Sequence, residues 1–204
     1  MGKRVYISAD YSESSGDRDV VDVLNRWGQD DYHKVDFVDM SKVASGSVSN
    51  DPDCRICDLK SEFNQQINAS SAVIFIVGDK TKYRTAGSVC QRCKMEQYEC
   101  YCTPYKQNTN GTRLCKVAKT YAVGPTDDVG SVNSFSYLRH EFEQAKKKRK
   151  PIVILYNSTR CETTWLPTYM IDYGDIAKPF WVINAQGYKV GNYQYIKEVL
   201  GFEW

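Results

Sequence analysis

The sequence predicts an α/β protein: a three-layer sandwich around a mainly parallel sheet. Two observations predict it. Short apolar runs alternate with segments of helical period along most of the chain. One run, SAVIFIVGD at 71 to 79, is apolar almost throughout, as a strand covered on both faces must be.

The elements follow in order. KRVYIS at 3 to 8 is a short strand, followed by the polar loop ADYSESSGD. In DRDVVDVLNRWGQ, Val20, Val23, Leu24 and Trp27 recur at helical spacing. HKVDFVDMS at 33 to 41 is a second strand, and the polar residues 42 to 53 are loop. DLKSEFNQQINAS is a helix with Leu59, Phe63 and Ile67 on one face. After the strand at 71 to 79 the alternation stops. Residues 84 to 134 hold five cysteines and no long apolar period, and read as an insertion inside a single domain spanning 1 to 204. The alternation then resumes. Leu138, Phe142 and Ala145 mark a helix, PIVILYN a strand, KPFWVINA another strand, and NYQYIKEVL a closing helix. Right-handed crossovers make a doubly wound, flavodoxin-like strand order the expected topology. Ligands in such sheets bind beyond the carboxyl ends of the strands. Here those ends are SADYSES, DMSK, GDKTKYR and YNSTR.

Composition narrows the function. A net charge of +2 over 204 residues argues against nucleic acid as a partner. No apolar run reaches the roughly 18 residues of a membrane span. The opening MGKRVYISAD enters a strand directly, without a signal-peptide core, so the expected compartment is the cytoplasm. Eight cysteines are many for this length, and a reducing compartment favours thiols or metal thiolates over disulfides. Cys54-x-x-Cys57 and Cys90-x-x-Cys93 have metal-knuckle spacing, and two such pairs complete one structural zinc site. A second grouping of Cys90, Cys93, Cys100 or Cys102, and Cys115 is also open, and disulfides and free thiols are the alternatives to zinc. Cys161 stands apart and reads as a buried thiol.

Familiar phosphate and nucleophile motifs are absent: no G-x-G-x-x-G, no P-loop, no G-x-S-x-G. His33 and His140 make no metal pair by spacing. One helix-borne carboxylate is conspicuous. In YLRHEFEQAKKKRKPIVILY, Glu141 lies one turn beyond Tyr137, whereas Glu143 points about 200° away. The run Lys146 to Lys150 reads as a solvated helix end favoured by the helix dipole. A lone carboxylate suits a reaction whose leaving group departs neutral. Nicotinamide leaving NAD⁺ needs no general acid, only stabilisation of the ribosyl cation.

Three segments resemble the Toll/interleukin-1 receptor (TIR) family. VYISADYSES is similar to its first-strand box, SAVIFIVGDKT to its third strand, and YLRHEFEQAKKKRKPIVILYN to its aromatic-x-x-x-Glu helix and fourth strand. The resemblance covers 3 to 83 and 135 to about 160. It is nearest to the TIR-like proteins of bacterial anti-phage defence, the Thoeris type. It implies an NAD⁺ glycohydrolase or cyclase that makes an ADP-ribose-derived signal for a partner effector protein, with homo-oligomers as the expected assembly. Carried over by position, Glu141 is the catalytic glutamate and Tyr137 the aromatic, where Trp is usual. Ser8, Ala9, Asp10 and Tyr11, with Gly78, Asp79 and Tyr83, form the dinucleotide-binding loops. The insertion at 84 to 134 has no counterpart in a minimal TIR domain. Two other readings stay open: a non-catalytic TIR-like interaction module, and a nucleoside deoxyribosyltransferase-like enzyme.

Overall fold

Strand β1 (Lys3–Ser8) is the hub of the sheet, hydrogen-bonded in parallel to β2 (Val35–Asp39) on one side and to β3 (Ala72–Val77) on the other. Strand β4 (Ile152–Tyr156) follows β3, and the two-residue β5 (Lys178–Pro179) closes the edge. The order is β2-β1-β3-β4-β5, all parallel. This is the expected flavodoxin-like arrangement. The computed structural model describes residues 3–11, 17–30, 35–39, 62–84 and 136–201. The expected ligands Cys54, Cys57, Cys90, Cys93, Cys100, Cys102 and Cys115, and the insertion beyond Arg84, lie outside them.

Helices cover both faces. Helix α1 (Arg18–Gly28) lies on one face with α4 (Tyr193–Leu200); Val20, Leu24, Ile196 and Leu200 pack there on Val5, Ile7, Ile74 and Ile76. The opposite face carries α2 (helical residues 62–69) and α3 (Tyr137–Lys147). Phe63, Ile67, Phe142 and Ala145 pack there on Tyr6, Val73, Phe75 and Ile154. Every residue of β3 is buried, because it has strands on both sides and helices above and below. Phe75 meets Phe142 edge-on at 5.4 Å between ring centroids, a favoured aromatic geometry.

The segment KPFWVINA departs from expectation. It breaks at Phe180 into β5 and a separate strand, β6 (Trp181–Ile183), which pairs antiparallel with β7 (Lys189–Gly191). Pro179 has no N–H to offer a further strand, as suits the edge position of β5. The Asn184 side chain shapes the β6–β7 turn by accepting from the N–H groups of Gln186 and Tyr188 at 3.0 and 2.8 Å. Cys161 is a second correction. It is exposed rather than buried, because it follows β4 in a surface turn; its thiol lies 3.8 Å from the Ala177 carbonyl.

Two helix ends are closed by lysines. Lys150 donates to the carbonyls of Asn68 and Ser70 at the end of α2. Lys3 donates to those of Leu200 and Gly201 at the end of α4. Both place an ammonium on the negative end of a helix dipole. Helix α3 ends in a Schellman turn: the Lys150 N–H bonds to the Ala145 carbonyl and the Arg149 N–H to that of Lys146. Arg149 takes the left-handed conformation there, with φ 51°, where glycine is usual.

Candidate functional site at the carboxyl edge of the sheet

Helix α3 starts at Ser136, whose hydroxyl accepts from the Arg139 N–H at 3.0 Å. This cap fixes the helix phase. Leu138, Phe142 and Ala145 then face the core, and Glu141, three residues beyond Leu138, shares their stripe. The carboxylate is therefore driven inward and is 3% exposed.

Strand alternation brings it two donors. Tyr6 and Ser8 point to the α3 face of β1, opposite to Val5 and Ile7. The Tyr6 hydroxyl donates to Glu141 Oε1 at 2.7 Å, and the Ser8 hydroxyl donates to Oε2. Burial pushes the Glu141 carboxyl from its ordinary 4.5 to about 7, against the pull of the Ser8 and Tyr6 hydrogen bonds. Burial also raises the Tyr6 phenol well above its ordinary range, with the Glu141 charge adding to it. Among the described residues the carboxylate thus meets two hydroxyls rather than an open cleft. Glu143 points elsewhere, as expected, and pairs with Lys146 at 3.7 Å. Tyr137 opens α3 and packs edge-on against Phe63 at 5.4 Å.

The predicted loop residues gather at the same edge of the sheet but differ in what they can reach. Ala9 is buried in the core. Tyr11 folds back, its hydroxyl donating to the Ile7 carbonyl at 3.0 Å. Asp10 pairs with Arg84 across the β1 and β3 loops. Gly78 and Thr81 close a tight turn, the Gly78 N–H donating to the Thr81 hydroxyl at 2.8 Å. Asp79 is exposed, and so is Tyr83, at 73%, with the Lys82 ammonium 4.9 Å from its ring centroid.

Two groups were missed. One is Tyr6, although the period of two in KRVYIS puts it on the face of Ser8. The other is Asp17, fully buried just before α1. It sits against Gly78, where an added Cβ would collide with Asp17 Oδ1. Asn157, at the end of β4, donates to Asp17 and Asp19 at 3.2 and 3.1 Å. The Trp181 indole fixes that amide by donating to its oxygen at 2.7 Å. Burial is the main cause that raises Asp17 from 3.8 to about 7; the Asn157 hydrogen bond opposes it and the Asp10 charge adds to it. Asp17 lies on the α1 face of the sheet and Glu141 on the α3 face, so they are separate groups rather than an acid–base pair.

No group of three or more potential metal ligands occurs among the described residues. No described helix is long and apolar enough to cross a membrane. No protein-family model and no curated protein matches the chain.

Proposed function

We propose that the chain is a TIR-like enzyme that cleaves the nicotinamide–ribose bond of NAD⁺ and makes an ADP-ribose-derived signal in bacterial anti-phage defence. The observation that carries this reading is the Glu141 carboxylate, held by Ser8 and Tyr6 at the carboxyl end of β1. The strand order β2-β1-β3-β4-β5 supports it, since ligands in such sheets bind at that edge.

In the proposed reaction the C–N bond breaks and its electron pair leaves with the pyridine nitrogen, so nicotinamide departs neutral. Glu141, ionised, stabilises the positive charge that develops on the ribose. Tyr6 fixes the carboxylate's orientation through Oε1, and a ribose hydroxyl takes the place of the Ser8 hydroxyl on Oε2. Water then completes hydrolysis, or an internal nucleophile completes cyclisation. The signal acts on a partner effector in the cytoplasm, and activity depends on homo-oligomers. A structural zinc held by Cys54, Cys57, Cys90 and Cys93 belongs to the same proposal.

A second reading has an observation of its own. Both oxygens of Glu141 already have partners and the side chain is 3% exposed, as suits a purely structural tie in a non-catalytic interaction module. Nicotinamide release from NAD⁺ by wild type and Glu141→Gln, with products separated by chromatography, decides between them. Release by wild type alone supports the enzyme. No release by either protein at high concentration leaves the module.

A further inference from the structure

The chain leaves β1 toward β2 on one side and returns to β3 on the other, so the sheet's switch point lies between β1 and β3. At such a point the two following loops diverge and leave a crevice. One ion pair spans it here: Asp10, from the β1 loop, accepts from Nε of Arg84, the last described residue of the β3 loop. The Asp10 side chain is 10% exposed and that of Arg84 34%. The β3 loop is stiff, with Thr81 N–H to Gly78 and Tyr83 N–H to Lys80 carbonyl bonds, and the Lys82 ammonium is tied to the Thr164 carbonyl at 2.7 Å. It also bears the exposed cation Lys80 and the exposed Tyr83 ring.

We infer that Arg84 anchors the pyrophosphate of a nucleoside-diphosphate ligand, and that Asp10 is the internal anion this ligand displaces. The inference rests on the NAD⁺ reading for its ligand class and adds a positioning residue to it. A guanidinium presents a planar fork that matches phosphate oxygens, and a carboxylate occupies the same fork when no phosphate is bound. The same β3 loop also exposes an aromatic ring at Tyr83 and a second cation at Lys80. Once the pyrophosphate is bound, Asp10 becomes a neighbouring like charge. The two members of the pair therefore act with opposite signs: Arg84 favours the ligand and Asp10 opposes it.

The test is calorimetric titration of the full chain with ADP-ribose, for wild type, Arg84→Gln and Asp10→Asn, each first shown to be folded by its melting transition. Arg84→Gln is expected to weaken binding roughly 10- to 100-fold, the loss of a charge-assisted hydrogen bond. Asp10→Asn is expected to tighten it several-fold, and wild-type binding to weaken with added salt. If both variants weaken binding alike, the pair is a structural brace and the inference is overturned. Binding unaffected by Arg84→Gln overturns it too, as does a wild type that binds no ADP-ribose. Should Arg84→Gln fail to fold, the sign of the Asp10→Asn effect decides alone. Nicotinamide release by the same samples separates the two proposals. A wild type that binds through Arg84 yet releases no nicotinamide keeps the anchor and removes the NAD⁺ chemistry. One that releases nicotinamide, with Arg84→Gln equal to it in both assays, keeps the chemistry and removes the anchor.

Discussion

The Tyr6 hydroxyl donates to Glu141 Oε1 at 2.7 Å, tying the first strand to a helix 135 residues later in the chain. With Ser8 on the other oxygen, the carboxylate is held by two side chains from a single strand. Tyr6→Phe removes one donor and leaves a buried carboxylate short of a partner. It should destabilise the fold by roughly 1–3 kcal/mol. Urea unfolding checks this, and in a Glu141→Met background, which offers the phenol no comparable acceptor, the same change should be much milder. Equal losses in both backgrounds would mean the hydrogen bond is not the cause.

The raised Glu141 carboxyl gives stability a pH dependence of definite sign. Its folded value, about 7, lies above its ordinary 4.5, so the folded state holds the proton more tightly than the unfolded chain. This contribution is complete below 4.5 and is lost as pH rises through about 7. Its full size is on the order of 3 kcal/mol. Asp17 has the same sign, so the Glu141 part must be isolated by difference. Between pH 4.5 and 8, wild type should lose stability relative to Glu141→Gln. Melting temperatures that stay parallel across this range would refute the assignment.

If Glu141 acts ionised, kcat/KM for NAD⁺ should rise with pH and level off above about 7, the value to which burial brings the free carboxyl. Initial rates across pH 5 to 9 at low substrate check this. A profile that falls across pH 7 would require the protonated acid instead.

Gly78 stands where any side chain would strike the buried Asp17. Gly78→Ala must push aside a carboxylate that Asn157 holds at 3.2 Å and Trp181 indirectly fixes. A loss of roughly 1–3 kcal/mol is expected, as for overpacking elsewhere. An unchanged denaturation midpoint would show that Asp17 swings away freely.

Arg149 occupies the left-handed position that ends α3, at φ 51°. Arg149→Gly should stabilise the chain by up to about 1 kcal/mol, because the Cβ strain disappears. Arg149→Val, branched at Cβ, should do the reverse. Thermal unfolding of the two variants should move in opposite directions.

The parts of this fold that were legible in the sequence are those with strong periods. The unbroken apolar run AVIFIV marked β3 as a strand covered on both faces, and Leu138, Phe142 and Ala145 gave α3 its inner face. Glu141 was legible because it lies on that face with no charged neighbour of its own phase. Its partner Tyr6 was overlooked because a strand tyrosine reads as core. The Asp17–Gly78 contact joins residues from two loops and leaves no periodic trace. The β6–β7 hairpin was missed because its strands are three residues each, too short for alternation to register. The Asp10–Arg84 pair depends on where two loops cross, which only the sheet order reveals.

The Lys3 ammonium holds the carbonyls of Leu200 and Gly201, the latter at 2.9 Å. Residues 3 and 201 therefore meet at the amino edge of the sheet. Strand β1 separates that edge from Ser8 by about 17 Å, at about 3.3 Å per residue. A circular permutant with 201 joined to 3 by a short linker, and opened in the turn at Gly187, keeps all five strands of the parallel sheet in place. Its seam is a strand's length away from Glu141, so the order of synthesis can be rearranged without disturbing the carboxylate.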